Sequence, residues 1–237
     1  MPRNIVLLVL ILAFGLWKNN VTPKRYQKIL SVLYKRQADL TVVVDRLHIG
    51  RNLAAIRRTC DAMGVGTLHA VVPEGFQQKR FAGTTMGSHK WVELCRHRTT
   101  LEAFSVIREE GMQILAADVS ASALDYRSVD FTRPTAIIMG AEVDGVSQEA
   151  QAMADGFLSV PMLGMVESFN VSVACALVLS EAMRQRREKG MLDEPSLPKE
   201  EIDRLAFEWG YPKLKRYYQG KKLPYPALDH EGQLIEG

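Results

Sequence analysis

The sequence predicts an α/β fold with a mainly parallel sheet and flanking helices. Two patterns predict it: short runs rich in β-branched residues alternate with longer amphipathic stretches, and glycines stand just past those stretches, where helices end. A third observation sets the scale. The chain has 237 residues, 47% of them hydrophobic, enough for one core of roughly 150 to 200 residues.

Taken in order, Thr22 as N-cap and Pro23 at the first helical position open a helix over 23–36. A strand follows at 41–44, then a helix over 53–63 stopped by Gly64, and a strand at 67–72. The next helix, 101–110, is stopped by Gly111 and leads to a strand at 113–117. Strands at 135–139 and 157–160 enclose a helix at 148–154, and a long helix over 170–188 ends near Gly190. Beyond Gly190 come Pro195, Pro198, Pro212, Pro224 and Pro226, which read as an appendage without a core of its own. The expected organisation is an apolar segment at 1–20, an N-terminal helix at 21–40, an α/β domain at 41–190 and a C-terminal extension at 191–237, with no repeats.

The apolar run Ile5 to Trp17 covers about two thirds of the length of a bilayer-spanning helix. Lys18-Asn19-Asn20 follows it instead of a small-residue cleavage site. We read residues 1–20 as a mis-annotated start, with folding expected from Val21; a membrane-associating or partner-binding segment is the alternative. No stable membrane association is expected.

The formal net charge of +3 is modest, but its distribution is lopsided. Between Val21 and Thr59, Lys24, Arg25, Lys28, Lys35, Arg36, Arg46, Arg51, Arg57 and Arg58 face only Asp39 and Asp45. Between Leu101 and Val160 acids dominate. A basic first part suits a polyanion, although solvated helix faces produce the same pattern. Cys60, Cys95 and Cys175 are odd in number and far apart, which fits buried small hydrophobes in a reducing compartment better than disulfides or a zinc site. No metal is expected.

Phosphate-cradling glycine loops are lacking: Gly64-Val65-Gly66 precedes a strand, and the run from Gly140 to Gly145 is followed by Val146-Ser147 instead of Lys-Ser. A dinucleotide or P-loop enzyme is therefore disfavoured. Three polar clusters instead fall at strand ends, where open α/β sheets bind ligands. The first runs from Asn52 to Arg58 and Thr59, with both functional side chains expected near one end of the helix. Next comes Met139-Gly140-Ala141-Glu142 through Gly145, where glycines let a ligand approach the backbone and Ser147 suits an N-cap. The last is Ser168-Phe169-Asn170-Val171-Ser172-Val173-Ala174, where Ser168 or Asn170 is equally able to cap a helix.

In this order and with strands before them, the three clusters resemble the motifs of the SpoU/TrmH-type branch of the SPOUT RNA methyltransferases. The likeness runs from about Thr22 to the C-terminus and includes His97-Arg98-Thr99, Phe207 to Pro212 and Leu223 to Pro226. Phe169 stands where Leu is usual. The resemblance implies a deep C-terminal trefoil knot, a homodimer with the site near its interface, and a cytoplasmic enzyme. The implied reaction is methyl transfer from S-adenosylmethionine to the ribose 2′-oxygen of a guanosine in the D-loop of tRNA. Methylation of another RNA, ribosomal RNA or the tRNA anticodon loop, is the alternative, as is a catalytically silent RNA-binding knot protein.

The same resemblance places the methyl donor against Ala117, Gly140, Val160, Met162 and Phe169. It makes Arg58 the central catalytic group. A guanidinium stays protonated, so Arg58 is expected to bind RNA phosphate and stabilise charge on the 2′-oxygen. Asn52, Glu142, Ser168 and Asn170 form its supporting set. RNA capture falls to the extensions: Lys24, Arg25 and Lys28, with Lys35 and Arg36, and Lys213, Lys215, Arg216, Lys221 and Lys222 beside Tyr217 and Tyr218 as stacking surfaces.

Overall fold

The structure, a computed structural model, describes residues 21–46, 50–72, 87–118, 122–141 and 144–235. The chain forms two compact units, one of residues 36–196 and one in which the residues up to 35 join 197 onward.

Among the described residues, the larger unit is built on a seven-stranded sheet in which every strand pairing is parallel. Its strands are β1 (Leu40–Asp45), β2 (Thr67–Val71), β3 (Glu93–His97), β4 (Gln113–Ala117), β5 (Leu124–Asp125), β6 (Thr135–Met139) and β7 (Gly156–Ser159), in the spatial order β3-β2-β1-β6-β4-β7-β5. The two central strands β1 and β6 are buried along their whole length, which is why they read as unbroken apolar runs. The five expected strands are present. Two further ones, β3 and β5, lie at the edges, where Glu93 and Arg96 face solvent and only two residues pair in β5; neither carries a periodic signal.

Side chains alternate across the sheet. On one face, Val42, Val44, Ile137 and Leu68 pack with Leu53, Ile56 and Cys60 of α2 (Gly50–Ala62) and Cys175, Val178 and Leu179 of α5 (Val171–Glu188). On the other, Val43, Ile114 and Ile138 pack with Phe104 and Ile107 of α3 (Thr100–Glu109) and Ala150 of α4 (Gln148–Met153). Because strands are parallel, the N-termini of α2 and α5 both lie toward the C-terminal edge of the sheet.

Two arginines at the opposite edge are structural. Arg186, 1% exposed, donates to the carbonyls of Phe131, Asp39 and Arg133, to Gln37 and to the Asp39 carboxylate. A buried guanidinium is tolerable when its donors are satisfied in this way. Arg36, expected among the RNA contacts, is also buried. Its guanidinium meets Asp61 at 2.6 Å and the carbonyls of Val65 and Trp91, so it holds the fold and does not face a polyanion.

The smaller unit contains α1 (Pro23–Leu33), α6 (Lys199–Gly210) and α7 (Pro212–Lys221). Thr22 Oγ1 accepts from Arg25 N at 3.3 Å, as an N-cap should. Contrary to expectation, the C-terminal segment has a core. Tyr26, Ile29 and Leu33 of α1 are buried, as are Ile202, Ala206 and Phe207 of α6, and Phe207 stacks on Tyr211 and Tyr225 with Tyr218 edge-on. The prolines misled because Pro198 and Pro212 start helices instead of stopping them.

Candidate active site

Three neighbouring strands, β6, β4 and β7, end side by side, with Ala116 opposite Ile138 and Ala117 opposite Leu158. Gly140, Ala117 and Val160 therefore occupy adjacent strand ends at the carboxyl edge, on the side of the sheet where β6 is inserted between β1 and β4. This is the position at which an open α/β sheet offers a crevice. Met162, half-buried, and Phe169, 41% exposed, lie on the connection from β7 to α5. Ser168 is exposed on the same connection.

Gly140 has a different reason for being glycine from the one expected. A Cβ there would stand 2.1 Å from Gly145 C and 2.2 Å from Val146 N. The chain's own backbone, not an incoming ligand, fills that space. The turn closes through reciprocal hydrogen bonds of 2.9 Å between Ala141 and Gly145, and Gly145 has φ +66°, the left-handed region that glycine enters freely. Ser147 then caps α4 by accepting from Ala150 N. Glu142, placed in the catalytic set by the motif, lies outside the described residues.

Asn52 and Asn170 are brought together. The Asn170 side-chain amide donates to Asn52 Oδ1 at 3.3 Å, while Asn170 Oδ1 accepts from Ser172 N and Ser172 Oγ. Asn170 is thus both the N-cap of α5 and a link to the first turn of α2. Arg58 is not part of that pair. With α2 starting at Gly50, Asn52 is in its first turn, whereas Arg58 lies six residues on, about 9 Å along the axis and about 120° around it. Both were expected near one end of the helix. Arg58 is exposed and has no hydrogen-bond or ion-pair partner among the described residues. Its neighbour Arg57 is anchored, donating through Nε to Val92 O at 3.0 Å.

One residue escaped the motif reading. Asp45 ends β1 next to Gly140, is 1% exposed, and accepts from Ser147 N at 2.8 Å. The available signal was a lone acid closing an apolar strand.

Other ionisable groups are not built for nucleophilic chemistry. Burial pushes the Cys60 thiol well up and that of Cys175 up to about 12, so neither supplies a thiolate. Cys95, expected to be buried, is half-exposed. His69 and His97 approach at 2.9 Å between β2 and β3. Burial, and secondarily His97, lowers His69 to about 4. Among the described residues no group of three or more His, Cys, Asp or Glu side chains is placed to hold a metal.

The profile of the SpoU rRNA Methylase family matches residues 39–180, and that of the SpoU rRNA methylase C-terminal region matches 184–237. The chain belongs to the SpoU rRNA methylase family. Among SpoU relatives, it is 46% identical to a tRNA (guanosine(18)-2'-O)-methyltransferase of Escherichia coli across 90% of this chain and 94% of that one. It is 48% identical to the Thermus thermophilus protein of the same name across 79% of this chain and 96% of that one. The solved SpoU/TrmH tRNA modifying enzyme of A. aeolicus superposes with a TM-score of 0.76 at 42% identity, over 81% of this chain and 97% of that one. The SpoU methyltransferase AviRb of Streptomyces viridochromogenes, solved with AdoMet, superposes with a TM-score of 0.57 at 26% identity over 62% of this chain and 60% of that one.

Proposed function

We propose that this SpoU methylase transfers a methyl group to the ribose 2′-oxygen of the D-loop guanosine of tRNA. S-adenosylmethionine supplies the methyl group from its sulfonium. The observation that carries the reading is identity of 46% to an enzyme named for that reaction over nearly the whole of both chains. A second relative, 48% identical over 96% of its own length, bears the same name, which favours tRNA over another RNA.

The residues fit an adenosyl group. Ala117 and Val160 offer apolar surface at strand ends, Met162 and Phe169 offer it on the connection that follows β7, and strand-end backbone supplies donors and acceptors, the combination that small-molecule crevices use. Asn52 and Asn170 hold one wall through their mutual hydrogen bond. Arg58 binds RNA phosphate and stabilises negative charge gathering on the 2′-oxygen, acting as a fixed donor. Ser168 contacts ribose or phosphate, and Glu142 belongs to the same catalytic set.

The protein works as a homodimer in this reading. Leu163 and Met165 are fully exposed, Val166 largely so, and Phe169 and Val173 a little under half, an apolar patch of the kind that a second subunit covers. Arg58, offset from the Asn52–Asn170 pair, then reaches substrate at that interface. A deep C-terminal trefoil knot belongs to this reading, and the strand order, with β6 between β1 and β4, is compatible with it. Catalysis belongs to residues 41–190, and RNA capture to the extensions 21–40 and 191–237, through Lys24, Arg25, Lys28, Lys213, Arg216, Lys221 and Lys222, all exposed. The setting is the cytoplasm. Among the described residues no helix is long and apolar enough to cross a membrane.

Mapping 2′-O-methylated nucleosides by mass spectrometry, after incubating tRNA and, in parallel, ribosomal RNA fragments with the protein and labelled S-adenosylmethionine, tests the proposal. Product at the D-loop guanosine is expected. Label only in ribosomal RNA fragments, or in no RNA at all, would overturn it.

A further inference from the structure

We infer that Asp45 is a positioning residue whose carboxylate holds residues 145–147 against Gly140 and so fixes the β6 end of the strand-edge crevice that receives the methyl donor; this rests on the cofactor reading of the strand ends given above. Asp45 and Gly140 follow directly on paired residues of adjacent strands, Val44 opposite Met139. From there the Asp45 side chain reaches the far limb of the turn, where its Oδ2 accepts from Ser147 N at 2.8 Å. The turn is thus fixed at two places: at its neck by the Ala141–Gly145 pair, and at its exit by Asp45.

The carboxylate is in an expensive setting. It is 1% exposed, and Oδ1 is buried without a hydrogen-bond partner among the described residues; the Arg46 guanidinium stands 3.9 Å from it. An aspartate meant only to fill space would be replaced without loss by an uncharged residue. Arg46, next in the chain, has φ +51°, a conformation uncommon outside glycine and asparagine. In that conformation its Nη2 meets Glu149 Oε2 of α4 at 3.0 Å. A strained residue and a half-satisfied buried acid are thus spent on one task, fastening the end of β1 to Ser147 and Glu149 around the turn. Backbone strain retained at such a place is characteristic of sites whose geometry must be held.

The test is calorimetric titration of full-length protein with S-adenosylmethionine, alongside steady-state kinetics. Asp45→Ala should weaken donor binding about tenfold or more and raise the KM for the donor by a similar factor. The kcat at saturating donor and the KM for tRNA should stay within about threefold, a split that general loss of folded protein does not produce. Asp45→Asn keeps an acceptor for Ser147 N and should recover most of the affinity. Ser147→Pro removes the donor at a φ of −61° that proline adopts, so it should reproduce Asp45→Ala even where that variant fails to fold. Ser147→Ala, which keeps the N–H, should bind like wild type. Wild-type affinity in Ser147→Pro or in folded Asp45→Ala would overturn the inference, as would Asp45→Asn as weak as Asp45→Ala. A wild-type protein that does not bind the donor would remove the cofactor reading itself, and this inference with it.

Discussion

Asn170 donates its side-chain amide to Asn52 across 118 positions of sequence, at 3.3 Å. The direction of that bond is set locally. Asn170 Oδ1 already accepts from the backbone and hydroxyl of Ser172, so its NH2 is the group left to face Asn52. One helix cap therefore orients the link between α2 and α5, and ties the substrate wall to the packing of both helices.

The two asparagines should consequently behave as a unit. Asn52→Ala is expected to lower single-turnover methylation about 10- to 100-fold with little change in Tm. Asn170→Ala should lower it comparably and also destabilise the protein by about 1 kcal/mol through loss of the cap. The double variant should lose clearly less activity than the product of the single losses. Strictly multiplicative losses would show that the hydrogen bond has no role in activity.

Arg57 and Arg58 are adjacent in sequence and opposite in expected consequence. Arg58 is exposed, so Arg58→Ala should leave Tm within a degree or two and reduce kcat about 100- to 1,000-fold, the usual effect of deleting a fixed donor to developing negative charge. Arg57 grips Val92 O, so Arg57→Ala should cost about 1 kcal/mol of stability and leave kcat per folded molecule nearly intact. Near-normal turnover by Arg58→Ala would sink the mechanism.

The His69–His97 contact predicts acid lability. Folded His69 stays neutral down to about 4, chiefly because it is buried, whereas its ordinary value is 6.5. Burial lowers His97 as well. Between 6.5 and 4 the unfolded chain therefore binds protons that the folded chain refuses. The pair's contribution is complete above 6.5 and is lost as pH falls, by at most about 1.4 kcal/mol per pH unit for His69. Urea midpoints measured from pH 7.5 to 4.5 should fall steadily below 6.5, and His69→Gln should flatten that dependence. A wild-type midpoint constant between pH 7 and 5 would contradict this account.

The legible parts of the chain were those governed by local physics. β1 and β6 declared themselves because central parallel strands are apolar on both faces, and Thr22 and Ser147 because capping requires a short side-chain acceptor. Arg36 and Tyr218 misled for a common reason. Each sits in a run that looks solvated, yet Arg36 turns inward to Asp61 and Tyr218 packs edge-on to Phe207, and no local pattern distinguishes an inward guanidinium from an outward one. The meeting of Asn52 with Asn170 was invisible to periodicity and came only through motif resemblance. Asp45 was missed because a single acid has no spacing to recognise.

Lys213 and Lys215 separate the electrostatic account of RNA capture from a purely compositional one. Both were expected to meet phosphate. Lys213 is exposed, but Lys215 Nζ lies 2.5 Å from Oε2 of the buried Glu208. Burial pushes Glu208 up, yet Lys215, Arg204 and Tyr225 outweigh it and hold its carboxyl below the usual value. Removing Lys215 takes one partner from a largely buried acid, so Lys215→Ala should lower Tm. Its effect on the salt dependence of tRNA binding should be small. Lys213→Ala should leave Tm unchanged and reduce the slope of log affinity against log salt by about 0.7 to 0.9, the loss of one phosphate contact. Fluorescence titrations of tRNA at several salt concentrations measure both slopes. If Lys215→Ala flattened the slope as much as Lys213→Ala while Tm held, Lys215 would have to be facing RNA and not Glu208.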